Sequence, residues 1–92
     1  MKKTHIDDVN LAYKELANTL RVRFVMLDIA NAMNKVSDYA YRAAKDSNSR
    51  AARKKYKATL ANACEAKANL DGAIARSKAA KAAYYAAIEK MT

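Results

Sequence analysis

The residues of this 92-residue chain that could do chemistry lie at its middle. Seven cationic side chains, Arg42, Lys45, Arg50, Arg53, Lys54, Lys55 and Lys57, fall within sixteen positions, with Asp46 the one carboxylate among them. That segment holds +6 of the chain's net +9. Charge packed so densely calls for an anionic partner: nucleic acid, a membrane surface or an acidic protein. Tyr56 sits inside the run. A ring there can stack on an unpaired base, but the same ring opens an apolar stripe, which makes core packing its favoured role.

Catalytic or metal chemistry finds much less to work with. There is one His, His5, and one Cys, Cys64, so no zinc spacing and no intrachain disulfide can be built. His5 lies near a chain end, where a surface role is expected. Cys64 sits among alanines, where a small buried residue is expected. Asp7 and Asp8 are neighbours that diverge by about 100° on a helix, so they read as charges favourable to a helix N-terminus rather than as an acid/base pair. With one Gly and no Pro there is no phosphate-cradling loop. The chain is therefore expected not to be an enzyme and to need no cofactor or metal.

The elements that carry the basic run are helices. Turn-rich β architectures lack their punctuation here, and the one cluster of loop formers is Asp46-Ser47-Asn48-Ser49. Two helices are expected, over about residues 4–45 and 50–90, joined by a basic turn at 46–49, in one all-α domain. Thr4 can cap the first helix and Ser47 or Ser49 the second, with Asn48 suited to a left-handed residue between them. Nearly equal lengths predict a long antiparallel hairpin. The segment Asn34-Lys35-Val36-Ser37-Asp38 is the one place where the first helix could break, at a Ser37 cap, although Val36 continues an apolar stripe through it.

Two apolar stripes run along the first helix. Ile6, Val9, Tyr13, Leu16, Leu20, Phe24 and Leu27 form one; Val22, Met26, Ile29, Met33, Val36 and Ala40 form the other, nearly opposite it where they overlap. A single partner helix cannot cover both. The second stripe predicts a homodimer interface at Val22, Met26, Ile29, Met33 and Val36, in a four-helix bundle or coiled-coil-like assembly. On the second helix, Tyr56, Leu60, Ala63, Lys67, Leu70, Ile74, Ser77, Lys81, Tyr84, Ile88 and Met91 recur at alternating spacings of four and three. Lys67 and Lys81 interrupt them, and the seam is expected to drift onto Ala63, Ala66, Ala73, Ala80 and Ala87. Gly72 lies inside this helix, where a close crossing by another helix, a slight bend or simple tolerance would each account for it.

Folding alone does not explain the basic run. Cations at the start of the second helix oppose its dipole, each by about 0.3–1 kcal/mol, and repel one another. The functional expectation is a small cytoplasmic protein that grips the phosphates of RNA or DNA, RNA slightly preferred, through Arg42, Lys45, Arg50, Arg53, Lys54, Lys55, Tyr56 and Lys57. The alternative is a regulator or inhibitor docking on an acidic partner protein, of the kind that serves as a bacteriophage or mobile-element accessory factor. No apolar run approaches the roughly 20 residues of a membrane span, and Thr4, His5, Asp7 and Asp8 interrupt any secretion signal.

Overall fold

The computed structural model describes residues 5–91 as two long helices packed as an antiparallel hairpin: α1, His5–Ser47, and α2, Arg50–Glu89. Asp7 and Asp8 occupy the first turn of α1 and Lys45 its last, each favourable to the dipole there. Thr4, the expected first cap, lies outside the described residues. The turn is tighter than expected, Asn48 and Ser49 alone. Asn48 takes a left-handed backbone with φ 48°, and its N–H donates to the Ala44 carbonyl at 3.0 Å, closing α1. Ser49 then starts α2: its hydroxyl accepts from Ala52 N–H at 3.0 Å and its carbonyl from Arg53 N–H at 3.1 Å. Helix α1 runs unbroken through Asn34–Asp38, with Ser37 buried.

Two compact units make up the chain. In the first, α1 up to Phe24 lies with α2 from Asp71 onward. Tyr13 and Tyr84 meet at 5.8 Å between ring centroids, and the Arg23 guanidinium donates to Ser77 Oγ at 3.3 Å while that hydroxyl donates to the Ile74 carbonyl. In the second unit, Val25–Leu70, Tyr41 and Tyr56 meet edge to face at 5.3 Å beside the bend.

The core of both units is built from small side chains. Ala30, Ala40, Ala44, Ala63, Ala66, Ala73 and Ala80 are buried, joined by Ser37 and Ser77, and no large side chain is fully buried. On α2 the seam is Ala52, Tyr56, Thr59, Ala63, Ala66, Leu70, Ala73, Ser77, Ala80, Tyr84 and Ala87, an unbroken heptad alternation, with Gly72, Ile74 and Ile88 half-buried at its flank. The drift onto alanine is thus complete. Lys67 and Lys81 are exposed, and Leu60 lies outside the seam with them. On α1 the seam is Val9, Ala12, Leu16, Thr19, Arg23, Met26, Ala30, Met33, Ser37, Ala40 and Ala44. It follows neither sequence stripe and takes members of both. Alanine explains the choice: small residues on both helices permit approach toward the near end of the usual 8–10 Å interaxial range, and bulky side chains are excluded to the flanks.

Gly72 has no neighbouring heavy atom within 4 Å of where a Cβ would stand, so nothing among the described residues crosses closely there. The Gly72→Ala variant should therefore gain about 1 kcal/mol, the helix-propensity difference, and melt roughly 4–8 °C higher by circular dichroism. An unchanged or lower melting temperature would mean that Gly72 serves a contact made outside the chain.

Candidate nucleic-acid interface

The second helix begins with no acidic residue in its first turn. Arg50, Arg53, Lys54 and Lys57 stand at i, i+3, i+4 and i+7, which brings them to one side of α2, and together with Ala51 they line an open groove at its N-terminal end. All four are exposed. None is paired with a carboxylate among the described residues, and the one protein hydrogen bond given by their side chains is Arg53 Nη1 to Asn48 Oδ1 at 3.4 Å, which ties Arg53 back to the bend. Ser49 satisfies Ala52 N–H. The Arg50 and Ala51 N–H groups, one turn short of any intrahelical carbonyl, remain directed out of the helix end. Four cations and the free end of a helix dipole thus share one open face, the electrostatic and hydrogen-bonding requirement of a phosphate.

The rest of the basic run is divided between other surfaces. Lys55 projects to the opposite side of α2, where with Val36, Tyr39, Ala40, Ala43 and Ala52 it borders a mostly apolar depression. Arg42 lies on the outer side of α1 beside Lys35, Asp38 and Tyr39. Lys45 is exposed in the last turn of α1. Arg42 and Lys35 belong to the row Lys14, Arg21, Asp28, Lys35 and Arg42, which recurs every seven residues on the side of α1 away from the seam. The sixteen-residue run is therefore one groove of four cations with three more distributed around the bend.

Tyr56 is half-buried on the α2 seam, with its ring edge against Tyr41. That placement gives it a packing role under the basic surface. Of the tyrosines that sequence reasoning passed over, Tyr39, Tyr41 and Tyr85, the first is the most exposed at 74%, on α1 between Lys35 and Arg42. Its signal lay in its heptad position, two removed from the seam. Cys64 is exposed, against the expectation of burial, because Ala63 takes the seam position and turns the next residue outward.

Of the proposed dimer residues, Val22, Ile29 and Val36 are exposed, whereas Met26 and Met33 are half-buried on the α1 seam. No helix among the described residues is long and apolar enough to cross a membrane. The chain matches no known protein family, no curated protein and no solved structure, so the geometry of the bend and the exposed faces carry the functional reading.

Proposed function

We propose that this chain is a cytoplasmic, non-enzymatic nucleic-acid-binding protein that acts as a homodimer and holds phosphates in the groove of Arg50, Arg53, Lys54 and Lys57. The observation that carries this reading is the gathering of these four unpaired cations at a helix start that gains nothing from them. An anionic ligand converts the cost into a gain: each phosphate relieves cation repulsion, meets the positive end of the dipole and releases condensed counterions. Arg42, Lys45 and Lys55 extend the field around the bend without sharing the groove.

RNA is slightly preferred to duplex DNA. The sequence carries no recognisable major-groove reading module, and an electropositive bend fits structured or single-stranded RNA. Binding by backbone contacts of this kind is sequence-tolerant.

A regulator that docks on an acidic protein is the second reading, favoured by the large side chains left exposed on α1, Leu11 and Phe24 among them. Equilibrium titration of the purified protein with labelled single-stranded RNA and with duplex DNA at low salt separates the two. Saturable binding, RNA the tighter, is expected. Absence of binding to either transfers the basic groove to an acidic protein surface.

A further inference from the structure

The hairpin exposes 7355 Å². A compact monomer of this size exposes roughly 5,300 Å². The excess, roughly 2,000 Å² on one chain, is more than the roughly 800 Å² that each partner gives up in a standard protein–protein interface. Within the second unit Leu27, Tyr41 and Leu60 are exposed singly, whereas six other exposed apolar side chains form an ordered row. Val25, Ile29, Ala32, Val36, Tyr39 and Ala43 recur along α1 at spacings of four, three, four, three and four, a second heptad seam beside the buried one, and all six are exposed. A coil surface without a partner has no need of such a period.

We infer that this seam is covered by α1 of a second copy, running antiparallel. The occupant follows from the pattern, because its spacings read the same in both directions, as an isologous two-fold contact requires. Placing Val25 against Ala43 of the second copy sets Ile29 against Tyr39 and Ala32 against Val36, so that in two of these layers an alanine receives a larger side chain. Orientation follows from charge. The row bordering the seam is Asp28, Lys35 and Arg42. Parallel pairing sets each against its own kind and brings two bends of +6 side by side. The antiparallel pairing sets Asp28 beside Arg42 of the second copy twice over, leaves a single Lys35 pair at the dyad and sends the basic bends to opposite ends. Met26 and Met33 are released from the interface to the chain's own seam, where they already lie.

This inference rests on the self-association in the functional proposal and adds the face and the direction. Light scattering after size exclusion should give a dimer for the parent at tens of micromolar. The double variant Ile29→Glu with Val36→Glu should give a helical monomer, its dissociation constant raised by about two orders of magnitude or more, because carboxylates would enter the apolar contact. Phe24→Glu, on the other side of α1, should remain dimeric. In a Cys64→Ser background, Lys35→Cys at the dyad should form a disulfide-linked dimer under mild oxidation, while Arg42→Cys, away from it, should not. That readout holds even where the glutamate variant unfolds.

A monomeric parent, a dimer untouched by the glutamates, or cross-linking at both cysteines would overturn the inference, the first by leaving the seam to a partner of different sequence. The groove of α2 is intact in every variant, so loss of nucleic-acid binding by the parent contradicts the functional proposal alone.

Discussion

Reversing Arg53, Lys54 and Lys57 together to Glu should reduce nucleic-acid affinity by more than two orders of magnitude while leaving the fold intact. The three side chains supply most of the groove, and their replacement turns an attractive surface into one that repels phosphate. The fold should tolerate the change because each side chain is exposed, and acidic residues suit a helix start better than basic ones. Only the 3.4 Å hydrogen bond from Arg53 to Asn48 is removed from the hairpin itself. Ser49 still caps the helix. Helicity and mass should therefore match the parent, and the melting temperature should be equal or slightly higher. If the triple variant binds RNA and DNA as tightly as the parent, the basic bend is a solvated cap, and the acidic-protein reading replaces the one proposed.

The Ala73→Leu variant should produce the largest loss of stability. Ala73 is the most buried residue of the core at 1% exposed, on a seam whose neighbours are Ala80 and Ser77. A core of small side chains has no bulky group that could shift to receive three more carbons, so the helices must separate locally and loosen their packing along several turns. A cost of about 1–3 kcal/mol or more is expected, lowering the melting temperature by roughly 5–20 °C. Ala75→Leu is the matched control. Ala75 is exposed, Leu is nearly as good a helix former, and the change should stay within about 0.5 kcal/mol. Equal tolerance of both variants in thermal unfolding would show that α2 does not pack through its alanine seam.

The contrast between the two helices shows what was legible in the sequence. On α2, the lysines at 67 and 81 broke the apolar stripe, and the alanines one position before them supplied a smooth alternative, so the seam could be read from residue size and charge together. On α1, hydrophobicity marked two faces, and the seam takes Val9 and Leu16 from one and Met26, Met33 and Ala40 from the other. Large apolar residues occur on more than one face of that helix, while the observed seam passes through Ala12, Thr19, Arg23, Ala30, Ser37 and Ala44. Burial there is set by how closely a partner rich in alanine can approach, a property of the pair of helices that neither sequence stripe contains. Arg23 is the clearest case: it closes an apolar run in the sequence, yet it reaches Ser77, the smallest polar residue of the facing seam.

The site was legible in part for a related reason. The density of charge between Arg42 and Lys57 is a property of sequence alone, and the spacing of Arg50, Arg53, Lys54 and Lys57 predicts their common side through helical geometry. Lys55 departs from the group by the same rule. The packing of Tyr56 was legible from its place at the head of the α2 stripe, whereas the exposure of Tyr39 depends on the α1 register and became visible only once the hairpin was in place.

Binding of labelled RNA measured over a series of salt concentrations tests the central claim most directly. For four groove cations in contact with phosphate, the logarithm of the association constant should fall linearly with the logarithm of salt, with a slope of about −3 from the groove alone. Replacing Arg50, Arg53, Lys54 or Lys57 singly by Ala should make the slope shallower by about 0.7 each, whereas Asp7→Ala should leave it unchanged. No binding at the lowest salt, or a slope indifferent to loss of the groove cations, would contradict phosphate recognition at the bend.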